Sequence, residues 1–146
     1  MASTIPAVLD HLLASWALAL PGVQVVDGQP LAPEPDVVCV GFTGDPGEPA
    51  VEATEDRGQL APGADRERYD ITCLASSLKG GTDARAVRVR AFELVEAIRA
   101  DLQRDLRLGG LVMSARLAVL SLTAYQSPDG AVATVQFAVR IDAFAR

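Results

Sequence analysis

Aromatic residues are scarce in this 146-residue chain, which has four Phe, two Tyr and one Trp. Its core must therefore be built mainly from Val, Leu, Ile and Ala. Histidine occurs once, at His11, and there is no C-x-x-C pair. That leaves no metal-ligand spacing to read and a single possible imidazole base. Only two cysteines occur, Cys39 and Cys73, each inside an apolar run. They read as buried free thiols in a reducing compartment rather than as a disulfide. Lysine occurs once, against twelve arginines, and acids outnumber bases for a net charge of -6. A free-standing nucleic-acid binder is normally basic, so that class is disfavoured. No uninterrupted apolar run reaches the ~18 residues of a membrane helix. The N-terminal "MASTIPAVLDHLLASWALALPG" lacks a basic start and is broken by Asp10 and His11. The expectation is neither a signal peptide nor a membrane span, but a soluble chain made in the cytoplasm.

What is present reads as one domain over 1–146. Residues 4–20 have helical periodicity, with Ile5, Leu9, Leu12, Leu13, Trp16 and Leu20 on one face and His11 and Ala14 opposite. Thr4 or Ser3 is the expected N-cap, and Pro21-Gly22 the stop. Residues 23–28 and 36–42 read as strands, the second fully buried. Residues 43–66 hold three prolines, four glycines and six acids. They read as a long acidic loop or β-hairpin, loose in the isolated subunit, with a weak strand near 50–56.

Residues 67–76 alternate cleanly. Tyr69, Ile71, Cys73 and Ala75 point one way, and Arg68, Asp70, Thr72 and Leu74 the other. Thr82 is the expected cap of a second helix reaching about residue 106, with Val87, Ala91, Leu94, Val95, Ile98 and Leu102 as its apolar stripe. Two strands, about 112–125 and 131–144, close the chain around "SPDG". The order predicts an α+β fold: a mostly antiparallel sheet of four to six strands with two amphipathic helices packed on it.

"SSLKGGTD" (76–83) invites a phosphate-loop reading, but Lys79 precedes the glycines instead of following them. It reads as a strand-to-helix joint. Ser76, Ser77 and His11 make a triad only on paper, since no Gly-x-Ser-x-Gly elbow exists and His11 lies off the apolar stripe. No catalytic, cofactor or metal residue is assigned. Candidate interface residues are the acids Asp45, Glu48, Glu52, Glu55 and Asp56 with Arg57, and Arg85, Arg88 and Arg99 on the second helix. Arginine is enriched at interfaces, and an acidic loop elsewhere on the chain allows a head-to-tail contact.

The stretch "RYDITCLASSLKGGTDARAVRVRAFELVEAIRADL" resembles the tail terminator (tail completion) proteins of long-tailed actinobacterial phages. So do "IPAVLDHLLASWALALPGVQVVDG", "DVVCVGF" and "GAVATVQFAVRIDAF". The resemblance implies a tail-terminator-like domain that forms a hexameric ring on the head-proximal end of the tail tube. Such a ring stops tube polymerisation and joins the tail to the head completion (stopper) protein. The implied partners are further copies of the chain, the tail tube protein and the stopper, with DNA passing through the lumen without specific binding. The implied location is the head-tail junction of the virion, with the host cytoplasm during assembly. No cofactor is implied. The alternatives are another head-tail connector or neck protein, and a small ligand-binding or enzymatic α+β domain.

Overall fold

The computed structural model describes residues 3–56 and 65–145. The chain runs α1 (Ile5–Ala19), β1 (Gln24–Asp27), β2 (Asp36–Val40), β3 (Val51–Asp56), β4 (Arg66–Lys79), α2 (Ala84–Arg104), a short 3-10 turn (Leu108–Gly110), β5 (Ser114–Ser127) and β6 (Gly130–Phe144). Six strands form one sheet in the order β1-β2-β4-β6-β5, with β3 also paired to β4. All pairings are antiparallel except β1 with β2. This is the α+β architecture expected from the order of elements.

The long strand β4 organises the sheet. One edge lies along β6 from Arg66 to Lys79. The other edge is shared: β2 pairs with Cys73–Ser77, and β3 with Arg66–Ile71. Side chains alternate along β4, so Glu67, Tyr69, Ile71, Cys73, Ala75 and Ser77 are buried on one face. Both helices pack on that face. From α2 the buried residues are Val87, Ala91, Leu94, Val95, Ile98 and Leu102, the stripe read from spacing. Against them lie Val135, Phe137, Val139 and Ile141 of β6. Trp16 of α1 reaches Phe137 with ring centroids 5.9 Å apart. Each such side chain contributes about 1.5–3 kcal/mol by leaving water. The opposite face, which we call the outer face, carries Arg68, Asp70, Thr72, Leu74 and Ser76 from β4.

Three local expectations are corrected. Asp83, not Thr82, caps α2, because its carboxylate accepts from the Ala86 N–H at 3.0 Å. Thr4 stands at the N-cap of α1 without a side-chain cap bond; its hydroxyl is turned to Glu67 instead. The buried stripe of α1 is Val8, Leu12 and Trp16, so Val8 joins the core while Ile5, Leu9 and Leu13 are only partly buried. This shift also draws His11 in from the solvent: its ring is half-buried and Nε2 lies 3.7 Å from Asp105.

The weak strand read near 50–56 is present as β3. It is part of the sheet, in register with β4 from Val51↔Ile71 to Asp56↔Arg66. Its composition leaves it little apolar surface, but an edge strand draws stability from the partner's hydrogen-bonding groups.

Cys39 and Cys73 are both buried and free. Cys39 pairs across from Leu74 and shares its outer face, whereas Cys73 points to the helices. The two thiols thus face opposite sides of the sheet. Desolvation lifts the Cys39 thiol from 9.0 to about 11 and the Cys73 thiol to about 12.

Candidate interface

The joint at "SSLKGGTD" ends β4 rather than opening a site. Ser76 Oγ lies 3.0 Å from Thr134 Oγ1 on the outer face. Ser77 Oγ donates to Asp36 Oδ1 at 2.8 Å on the helix side. The other carboxylate oxygen of Asp36 accepts from Arg90 Nε at 2.9 Å, which ties β2, β4 and α2 together. That bond is the first cause of the raised Arg90 pKa. His11 sits beside Asp105 and Gly109, beyond the far end of α2. Ser77 lies against Asp36 and through it Arg90, fifteen positions up the helix from Asp105, roughly 22 Å at 1.5 Å per residue. The residues of the paper triad are therefore not brought together. Among the described residues no group of three His, Cys, Asp or Glu is placed to hold a metal ion. No described helix is long and apolar enough to cross a membrane.

Of the candidate acids, Asp45, Glu48 and Glu52 belong to the outer side of the sheet. Phe42 N donates to Thr72 O, and Thr72 N donates to Ala50 O, so residues 43–49 leave and rejoin β4 at one point. The loop is folded on itself: Asp45 Oδ1 accepts from Gly47 N at 2.9 Å, and Asp45 N donates to Thr43 Oγ1 at 3.1 Å. It reaches across the outer face, where Gln136 Nε2 of β6 donates to Thr43 O at 3.1 Å. A shallow hollow remains between Asp45 and Glu48 of the loop and Ser121, Thr123 and Tyr125 of β5. Glu52 begins a cross-strand row, Glu52–Asp70–Arg140–Arg116, that spans β3, β4, β6 and β5. Beside it Arg66 grips Asp142 with two bonds, of 3.0 and 2.6 Å. Hydrogen bonding to Arg66 is the first cause of the lowered Asp142 pKa. Glu55 and Asp56 pair through their backbones with Glu67 and Arg66. Arg57 lies outside the described residues.

The candidate arginines stand in the other layer. Arg85, Arg88 and Arg99 follow one flank of α2, with Phe92 between them at helical spacing. That flank faces β5. At one end Arg99, Leu102, Gln103 and Leu106 share a hollow with Ala115, Arg116 and Leu117. At the other, Gln126 Nε2 donates to Gly81 O at 2.8 Å. Among the described residues, Arg99 pairs only with Glu96, at 3.4 Å within the helix. Arg85 and Arg88 make no ion pair or hydrogen bond among the described residues.

Sequence reasoning missed the residues beside them. β5 pairs with β6 along one edge and with nothing described along the other. From Leu117 to Ser127 it carries no charge. Val119 is 40% exposed, Leu120 47%, Leu122 42% and Tyr125 56%. Register places Val119 and Leu122 on the helix side, Ser121, Thr123 and Tyr125 on the outer side, and Leu120 at a bulge. In the sequence "LAVLSLTAY" reads only as part of a strand. Only the strand order shows that it is an edge.

No protein-family model matches the chain, and no curated protein matches it. Among solved structures, it is similar to a chain of the "Virion of native gene transfer agent (GTA) particle". That likeness covers 94% of this chain and 92% of the other, with 11% sequence identity and a TM-score of 0.42.

Proposed function

We propose that this chain is a structural virion subunit whose copies close a ring on the head-proximal end of a phage tail tube. The ring stops tube polymerisation and joins the tail to the stopper protein of the head. It acts by assembly rather than by catalysis and takes no cofactor. One observation carries the self-assembling part of this reading: β5 is a long edge strand, uncharged from Leu117 to Ser127, with apolar side chains exposed on both faces. Soluble proteins protect such edges with charge, proline or a covering element, because an open edge recruits another chain. Here the edge has one bulge and no charge from 117 to 127. The tail-terminator part and the sixfold stoichiometry are supported by the sequence resemblance.

Mass by light scattering, with negative-stain imaging, tests the reading. Rings of about six copies that cap purified tail tubes are expected. Rings that bind only head-side components would place the chain elsewhere in the neck. A chain that stays monomeric at every concentration and ignores tubes would overturn assembly altogether. His11→Ala should leave assembly and infectivity near normal, since its one described partner is an exposed carboxylate.

A further inference from the structure

Resting on that reading, we infer which two surfaces join neighbouring copies: the β5 edge with the arginine flank of α2 on one copy, and the acidic outer side of the sheet on the next. The occupant of the β5 groove is thus a second copy of this chain, docked head to tail.

The first surface is a corner. Val119 and Leu122 form its floor on the helix side of β5, and α2 forms its wall. Phe92 is 36% exposed on that wall. Arg85 and Arg88 stand there with no partner among the described residues. An apolar floor rimmed by unpaired guanidinium groups suits a partner bearing carboxylates, which arginine grips bidentately.

The same chain carries that complement on the opposite face. Most charges on the outer face are already paired there: Arg66 and Arg68 with Asp142, and Arg140 with Asp70. Asp45, Glu48 and Glu52 are exposed, and none forms an ion pair among the described residues. The unpaired arginines and these three acids cannot meet within one chain, because the sheet lies between them.

Charge also decides the symmetry. A two-fold pairing of β5 with β5 would set Arg85, Arg88 and Arg99 of one copy against the same residues of the other. Such like-charge contacts disfavour the isologous arrangement. A contact between unlike surfaces is heterologous, and repeated heterologous contacts close into a ring when the rotation permits.

Charge swapping tests this with the full chain alone. Arg85→Glu with Arg88→Glu, and separately Glu48→Arg with Glu52→Arg, alter exposed side chains that no described contact holds. Each variant should keep the circular dichroism and melting curve of the parent. Each should also need at least a tenfold higher concentration to reach ring mass. An equimolar mixture of the two should recover rings, because every junction then joins opposite charges. So should a single chain carrying all four changes. Rings from either variant alone at the parent's concentration would overturn the assignment. So would loss of assembly that neither the mixture nor the fourfold variant restores. A parent chain that never assembles would instead remove the reading on which the assignment rests.

Discussion

The carboxylate of Glu67 accepts the backbone N–H of Thr4 at 2.6 Å. It also accepts from the Thr4 hydroxyl, and from Ser3 Oγ at 3.0 Å. Glu67 is 1% exposed. A strand thereby holds the first residues of α1 through a buried anion, placed where a helix N-terminus favours negative charge.

Glu67→Ala should therefore destabilise the fold by about 2–4 kcal/mol, because the Thr4 N–H and hydroxyl lose their acceptor inside the protein. Urea unfolding followed by the fluorescence of Trp16, the only tryptophan, measures this. A change under about 0.5 kcal/mol, the size usual for surface substitutions, would show that α1 does not depend on the tether.

The buried thiols set an alkaline limit. Their folded pKa values are raised, to about 11 for Cys39 and about 12 for Cys73, from 9.0. The contribution is thus complete below pH 9 and is lost as pH rises through the folded values. Each thiol steepens the decline by up to about 1.4 kcal/mol per pH unit. Stability measured between pH 9 and 10 should fall less steeply in the Cys39→Ala, Cys73→Ala double variant. Equal slopes would contradict the burial. In the native protein both thiols should react slowly with a labelling reagent, and quickly once it is unfolded.

Gly130 follows the turn between β5 and β6 at φ 139. A Cβ there would stand 2.2 Å from the backbone oxygen of Lys79 and 2.8 Å from Gly80 Cα. Gly130→Ala must push two strand ends apart and should cost about 2 kcal/mol or more. Calorimetry would show a lowered melting temperature. An unchanged melt would mean that the hairpin end is free to shift.

Asp142 is held below its ordinary value of 3.8, chiefly by Arg66. A lowered folded pKa gives stability that is present above pH 3.8 and lost as pH falls below it. Asp142→Asn should therefore be less stable than the parent at neutral pH, and the gap should narrow as pH falls below 3.8. A gap that does not narrow there would point to packing rather than charge.

The sequence exposed those features that repeat. The α2 stripe needed only the helical period, and the buried face of β4 only alternation. Glu67 was legible in principle, since it falls in phase with Tyr69 and Ile71, and a carboxylate on an apolar face signals a buried partner. The identity of that partner was not legible, because Thr4 lies 63 positions away. β3 was read as a weak strand, but its partner was not legible, because its place depends on the vacant half of the β4 edge. The candidate acids and arginines were found by residue type, but the placement of Asp45, Glu48 and Glu52 on the side opposite the arginines came only from strand register. The β5 edge was hidden for the same reason: whether an apolar strand is central or peripheral is a property of the order of strands.

Thr72 clamps both ends of residues 43–49 with its own N–H and C=O. The loop is therefore closed at its root whatever its content. Lengthening such a closed loop adds little entropy cost, about 0.6 kcal/mol for each doubling. The sheet does not register what is written between Thr43 and Pro49. A foreign peptide spliced between Pro46 and Gly47 would be displayed from a fixed base, with β2, β3 and β4 keeping their register. The same scaffold can thus carry one loop sequence or another without being refolded.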